Sequence, residues 1–200
     1  MPRARLNRAA IVAAAVDLVD AGGAPGFGDL TLAAVAGQVG IAVPSLYKHV
    51  SSLADLRREI AIASVNDLTK AISAATTGRA GPDAVRAMAD ALRDFARRHP
   101  GRFAASEVAA RQDDPLDAGL VAASAETLAV ITSVLRGFDL PPEATIDVIR
   151  VLRSAVHGFV VLELGGGFGL PDDLDRSFEL LVDTVTVGIE GLCLKDSGRQ

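Results

Sequence analysis

The sequence predicts an all-α protein, and three observations carry that prediction. Proline or a capping polar residue stands at the start of one segment after another, as it does in helices. Apolar residues recur at helical spacing, most clearly over 174–192, where the stripe continues through the β-branched run DTVTVGI. Strand patterns bounded by tight turns are scarce.

The first helix is predicted to start after Asn7, whose side chain suits the capping position, and to end at Gly22. Its apolar positions follow the spacing i, i+4, i+7 and i+8, and they are Ile11, Ala15, Leu18 and Val19. A basic start followed by apolar residues is also typical of an export signal, but Asp17 and Asp20 interrupt the apolar run. We therefore interpret this segment as a helix of the folded protein.

Two short helices are predicted in the next apolar stretch, LTLAAVAGQVGIAVPSLYKHV, over residues 30–50. Thr31 can cap the first helix, and Gly40 permits the left-handed conformation that a tight exit requires. The second helix begins near Pro44, because proline suits the first turn. The expected buried positions are Leu32, Val35, Ala36, Val39, Ile41, Leu46 and Val50.

The second short helix leaves a polar cluster facing solvent or a partner. Short helices joined at a glycine turn form a helix-turn-helix, whose second helix enters the major groove of DNA and meets base edges first and phosphates later. The predicted DNA-binding residues are Arg3, Arg5, Thr31, Ala42, Val43, Pro44, Ser45, Tyr47, Lys48 and His49. A structural corner between two packed helices is the alternative interpretation.

Charge is distributed in agreement with a localised DNA-binding surface. The net charge of -5 argues against nonspecific nucleic-acid binding by the whole chain. Residues 1–60, however, contain six Lys and Arg against five Asp and Glu, whereas residues 61–200 contain 14 against 20. Arg3, Arg5 and Arg8 make the amino-terminal tip basic, which suggests that this end faces an anion.

Proline also marks the later helices. Predicted starts lie at Gly81-Pro82-Asp83, Asp114-Pro115, Pro141-Pro142-Glu143 and Pro171-Asp172-Asp173, and Pro100 separates the end of one helix from a short successor. The exposed connection is predicted over residues 75–83. GGGFG, at residues 165–169, follows a helix and lacks the Lys-Ser/Thr of a phosphate loop, so we expect a flexible connection there.

The segment TLAAVAGQVGIAVPSLYKHVSSLADL, residues 31–56, resembles the DNA-binding segment of the TetR family of bacterial one-component repressors. The shared pattern is a threonine, a short helix with a small residue, Gly-Ile, Leu-Tyr-x-His-Val, and a leucine shortly after. The resemblance covers roughly residues 7–60. It implies an all-helical homodimer with a three-helix DNA-binding domain, here residues 1–52, and a larger ligand-binding and dimerisation domain, residues 53–200. Leu53 stands where the family commonly has a lysine near a phosphate, and Ser51 or Ser52 could face that phosphate instead.

The carboxy-terminal half contains a second, shorter resemblance. SAVHGFVVLELGGGF, residues 154–168, resembles the Trp-His-Gly type of carboxy-terminal domain in one TetR subgroup, with Val156 where tryptophan is common. This helix is apolar almost all round, and the last helix has small residues at Thr184, Gly188 and Gly191. We expect the helices over 142–165 and 172–193 to form a four-helix interface with their symmetry mates.

Candidate effector contacts lie in the predicted larger domain, and each has a second interpretation. They are Met88, Phe95, Phe103, Glu107, Arg111, His157 and Phe159. The aromatic residues also fit an ordinary core, and Arg111 fits either an acidic effector or an ion pair with Glu107. No metal site is expected, because His157 has no metal-ligand spacing to His49 or His99.

These patterns predict a ligand-responsive, DNA-binding transcriptional regulator, a repressor that a small-molecule effector releases from a palindromic operator. No catalytic residue and no cofactor are predicted, because no nucleophile–base set or cofactor fingerprint is visible. The single cysteine favours the cytoplasm, and the absence of about 18 consecutive uncharged apolar residues argues against a membrane span. The alternatives are a helical dimer acting as a protein-interaction module, or an enzyme using a helical pocket.

Overall fold

The computed structural model describes residues 6–196, with side chains over residues 6–192. That part of the chain contains ten α-helices, 3₁₀ turns at Pro115–Asp117 and Arg136–Phe138, and no strand. The helices are α1 (Arg8–Ala21), α2 (Gly26–Asp29), α3 (Leu32–Val39), α4 (Val43–Leu46), α5 (Leu53–Thr76), α6 (Gly81–Arg98), α7 (Pro100–Ser106), α8 (Ala118–Leu135), α9 (Pro142–Leu164) and α10 (Leu174–Asp196). The predicted all-α class is confirmed.

Local capping chemistry explains most of the helix starts. The Asn7 side chain accepts a hydrogen bond from the Ala10 amide at 2.9 Å, and proline occupies the first turn of α7 and of α9. The last helix begins later than the proline signal at Pro171 indicates, because the Asp173 carboxylate accepts from the Asp175 amide at 2.9 Å and caps α10. α2 was not predicted.

The chain packs into two compact units. Unit one comprises residues 6–68 with Arg98–Ala125, and unit two comprises Thr69–Arg97 with residues 126–196. The division therefore falls within α5 and α8. The predicted boundary between residues 52 and 53 separates a DNA-binding domain from a ligand-binding and dimerisation domain. It is a division by function, and it stays a prediction.

The core of unit one is built around α1. Fully buried side chains from α1, α3, α4 and α5 meet there, among them Ile11, Val19, Val35, Leu46 and Leu56. α2 and α7 approach the end of α1 so closely that a Cβ atom on Gly26 or Gly101 would overlap the backbone of Val19. Only glycine fits these contacts, which fix α2 and α7 against α1.

Unit two contains a buried ion pair between its helices. The Arg93 guanidinium, on α6, donates to Glu163 on α9 and forms an ion pair with Asp175 on α10 at 2.8 Å. The ring of Phe178 lies 4.6 Å from the guanidinium carbon, and that of Phe159 lies 5.5 Å away. Arg93 thus links three helices of this unit.

One described segment, Pro115–Phe138, is long and apolar enough to cross a membrane, with a mean hydropathy of 1.7. Glu126 interrupts the apolar run of this segment, so it contains no stretch of about 18 uncharged apolar residues. A single segment of this composition is weak evidence for a span, since core helices of soluble proteins have the same composition.

Candidate DNA-binding interface

The turn between α3 and α4 has the geometry that the sequence predicted. The Thr31 hydroxyl accepts a hydrogen bond from the Ala34 amide at 3.1 Å and caps α3. Gly40 adopts φ 70° and ψ 35° and ends the helix, and the Ile41 amide donates back to the Ala36 carbonyl oxygen at 3.0 Å. Ala36 is buried, so α4 can pack close to α3.

α4 presents part of its surface outside unit one. Leu46 is fully buried, and Val50, just after α4, is nearly so, which turns Pro44, Tyr47 and Lys48 outward. Tyr47 is 56% exposed and lies on the outward side of this segment. The surface formed by Ala42, Pro44, Tyr47 and Lys48 is called the α4 face below.

Three of the predicted DNA contacts are less exposed than the sequence suggested. Val43, Ser45 and His49 are half-buried, and Val43 packs against the core of unit one. These residues are partly covered because α4 has only four residues and its first turn packs against α3. Arg3 and Arg5 lie outside the described residues.

Arg8 is paired with two carboxylates of unit one, which corrects its assignment to a basic tip. From the first residue of α1 its guanidinium donates to Asp55 at 2.7 Å and to Glu59 at 2.8 Å, both on α5. The Arg8 guanidinium holds the pKa of the Asp55 carboxyl far below its usual range. Sequence reasoning did not find this pair, because its members lie 47 residues apart.

α5 supports the helix-turn-helix at two further points. Arg57 donates to the carbonyl oxygens of Gly28 at 2.6 Å and Leu30 at 3.3 Å, in the link that leads into α3. Ser52 caps α5, because its hydroxyl accepts from the Asp55 amide at 3.0 Å. The Ser52 hydroxyl is therefore engaged within the protein, and Leu53 packs partly buried on the core.

The candidate effector residues are divided between the two units. Phe103, Glu107 and Arg111 belong to unit one, whereas Met88, Phe95, His157 and Phe159 belong to unit two. Arg111 forms ion pairs with Asp114 and Asp117. Hydrogen bonds from the Arg111 backbone amide and from the Arg58 guanidinium hold the pKa of Asp117 below its usual value. His157 is half-buried.

The aromatic candidates lie in packed cores. Phe95 and Phe103 are buried, and the ring of Phe159 lies 4.8 Å from that of Phe168 and 5.1 Å from that of Phe178. Over the described residues, no three His, Cys, Asp or Glu side chains are grouped as metal ligands would be.

Comparison with known proteins places this geometry in a family. Residues 85–185 match the family described as Tetracyclin repressor-like, C-terminal domain. The chain is 37% identical over 190 residues to Rv0681 of Mycobacterium tuberculosis, named as an uncharacterized HTH-type transcriptional regulator, and the match covers 94% of this chain and 83% of that protein.

Solved structures share the fold at lower identity. A TetR variant from Acinetobacter baumannii AYE, in complex with minocycline, matches with a TM-score of 0.68 and 18% identity, over 94% of this chain and 98% of that one. BioQ, in complex with its double-stranded DNA operator, matches with a TM-score of 0.55 and 21% identity, over 91% of this chain and 99% of that one. The chain belongs to the TetR family of helix-turn-helix transcriptional regulators.

Proposed function

We propose that this protein is a homodimeric, ligand-responsive transcriptional repressor, bound to a palindromic operator until a small-molecule effector releases it. The α4 face carries the proposal. A left-handed glycine turn and the buried Leu46 and Val50 present Pro44, Tyr47 and Lys48 outside the core. Helix-turn-helix proteins place their second helix in this way to reach the major groove.

The α4 segment, meaning α4 with its flanking residues over 42–49, divides by the DNA groups that its residues would meet. We assign Ala42, Val43, Pro44 and Ser45 to base edges, because the amino-terminal end of a recognition helix enters the groove first. Tyr47, Lys48 and His49, together with Thr31, Arg3 and Arg5, are assigned to phosphates and sugars. The operator complex of BioQ supports this mode of binding.

Exposed apolar side chains support the dimer. On α10, Leu180 is 67% exposed and Val187 is 66% exposed, and Val151 and Val161 are exposed on α9. Apolar side chains of this number and size on two neighbouring helices are typical of a protein interface. The proposed interface is a four-helix arrangement of α9 and α10 from both subunits. The two recognition helices of the dimer would enter successive major grooves, about 34 Å apart along the DNA.

Effector binding is assigned to residues 53–200 and DNA binding to residues 1–52. The proposed effector contacts are Met88, Phe95, Phe103, Glu107, Arg111, His157 and Phe159. The minocycline complex of the Acinetobacter TetR variant supports a small-molecule effector. An effector that favours the released conformation by about 1–3 kcal/mol would lower operator affinity by roughly 5- to 150-fold. A DNA-bound repressor of this kind acts in the cytoplasm.

Selection of genomic DNA tests the proposal. Purified protein is mixed with fragments of the source genome at low salt, and the retained fragments are sequenced. Enrichment of one short palindrome, with half-sites about 10 base pairs apart, is the expected result. Recovery of fragments without any common sequence, from protein shown to contain no bound small molecule, would contradict it.

A further inference from the structure

Arg8 and Asp55 hold the backbone at the end of the α4 segment. Arg8 Nη1 donates to the backbone carbonyl oxygen of His49 at 3.0 Å, and Asp55 Oδ2 accepts from the Ser51 amide at 2.9 Å. These backbone groups lie on either side of Val50, whose side chain is buried in the core of unit one. The chain is thus fixed from both sides where the α4 segment ends.

The two anchors are joined to one another. Arg8 Nη2 donates to Asp55 Oδ1 at 2.7 Å, and Arg8 Nη1 donates to Asp55 Oδ2 at 3.1 Å, so the pair is bidentate. Such pairing fixes geometry in a way that a lysine, with its single charged nitrogen, does not. α1, the end of the α4 segment and the first turn of α5 are therefore held by one group of hydrogen bonds.

Little positive charge of Arg8 remains for DNA. One guanidinium faces two carboxylates, those of Asp55 and Glu59. The Asp55 pKa, lowered by its hydrogen bonds with Arg8, keeps this carboxyl ionised at neutral pH. A phosphate approaching Arg8 would have to compete with these groups.

We propose that Arg8 and Asp55 are positioning residues for operator recognition, which orient the end of the α4 segment without contacting DNA. The inference rests on the proposed DNA-binding function. Tyr47 and Lys48 directly precede the anchored carbonyl group of His49. A change in the direction of the backbone at His49 would move the side chains of Tyr47 and Lys48 relative to the major groove.

Asp55→Asn is the most informative variant, because the two possible roles of Arg8 predict opposite signs. If Arg8 contacted a phosphate, removal of the neighbouring carboxylate charge would free the guanidinium and strengthen DNA binding. If the pair positions α4, Asp55→Asn weakens binding to the operator about tenfold, the loss expected for one charge-assisted hydrogen bond. Asp17→Asn, at an exposed position of α1, removes an equal charge and serves as the matched control.

Arg8→Lys and Arg8→Gln complete the set. Lysine keeps the charge and loses the bidentate geometry, so a positioning role predicts that Arg8→Lys also weakens operator binding about tenfold. The double variant Arg8→Gln/Asp55→Asn should bind about as well as either single variant, because each single change already breaks the bidentate Arg8–Asp55 link that joins the two anchors. The salt dependence of binding should equal that of wild type in every case, since no phosphate contact is lost.

The measurement is fluorescence anisotropy with the selected palindrome and with a shuffled duplex of the same length. The concentration of DNA-binding protein in each sample is measured by titration at a DNA concentration far above Kd. A variant of which only a fraction is folded is then not mistaken for one with lower affinity. The expected result is a lower ratio of operator to shuffled-duplex affinity for Arg8→Lys and Asp55→Asn. If both variants keep the wild-type ratio, the Arg8–Asp55 pair is a purely structural contact and the inference is overturned.

Two further outcomes overturn it in different ways. Tighter binding by Asp55→Asn than by Asp17→Asn, with a shallower salt dependence for Arg8→Gln, would make Arg8 a phosphate contact. A wild-type protein with equal affinity for the two duplexes would overturn the proposed function itself, and this inference with it.

Discussion

Arg93 donates to both carboxylate oxygens of Glu163, at 2.8 and 2.7 Å, from a guanidinium that is almost fully buried in unit two. Without Glu163, the buried Arg93 would keep only the largely exposed Asp175 as an acidic partner, and a buried charge that loses a close partner costs stability. With its second ion pair, to Asp175, Arg93 joins α6 to both α9 and α10, the two helices assigned to the dimer interface.

We expect Glu163→Ala to lower the free energy of unfolding by about 3 kcal/mol, because Arg93 would lose its bidentate partner. The measurement is urea denaturation at a fixed protein concentration. Asp147→Ala is the control on the same helix, because the Arg150–Asp147 pair is exposed and such pairs contribute about 0–1 kcal/mol. Equal losses for the two variants would show that the Arg93 contact contributes no more than a surface pair.

Gly101→Ala should destabilise the protein by about 1–3 kcal/mol, because the added Cβ would overlap the backbone of Val19. Gly37→Ala, in α3, provides the comparison. Nothing lies within 4 Å of a Cβ at that position, so this change should stabilise the protein by roughly 0.5–1 kcal/mol. Thermal unfolding of the two variants under identical conditions measures the difference. A Gly101→Ala protein as stable as Gly37→Ala would contradict the close contact of α7 with α1.

Stability should fall in acid in a manner that depends on Asp55. The folded protein holds the pKa of Asp55 below its unfolded value, so the unfolded state binds more protons as the pH falls below about 4. The contribution of Asp55 is complete at neutral pH and is lost progressively as the pH falls toward its folded-state pKa. Unfolding free energies measured at pH 7 and pH 3 should therefore differ less for Asp55→Asn than for wild type. An identical difference would show that the pairing with Arg8 does not shift the titration of Asp55.

Val187→Glu should convert the dimer to monomers, because a carboxylate would be buried at the proposed α9–α10 interface. Leu116→Glu is the matched control, since Leu116 is also exposed and lies in unit one, outside those helices. Sedimentation velocity at micromolar concentration gives the mass of each variant. A dimeric Val187→Glu together with a monomeric Leu116→Glu would place the interface elsewhere.

Features set by neighbouring residues could be predicted from the sequence. Asn7, Thr31 and Gly40 act within one helical turn, and the structure has all three in their predicted roles. α2 was missed because its four residues, GFGD, are too few to show a period. The cap of α10 lies two residues beyond Pro171, because Asp173 offers a hydrogen bond that proline does not.

Contacts between distant residues could not be read from spacing. Arg8 and Asp55 are 47 positions apart, and Arg93 and Glu163 are 70 apart. The partners of Arg111 also could not be predicted from spacing, although they lie close to it in the sequence. Spacing suggested Glu107 or an acidic effector as its partner, whereas the 3₁₀ turn at Pro115–Asp117 brings Asp117 to it, with Asp114 just before that turn. The α4 face was found because it depends on helical periodicity, and its support was missed because it depends on tertiary packing.

The salt dependence of operator binding by Lys48→Ala tests the central claim most directly. Lys48 is exposed on the α4 face, and one lost phosphate contact reduces the slope of log affinity against log salt by about one. Lys70→Ala, an exposed position on α5, is the control and should keep the wild-type slope. We predict a reduced slope and weaker binding to every duplex for Lys48→Ala alone. A slope and affinity equal to those of wild type would mean that the α4 face does not meet DNA.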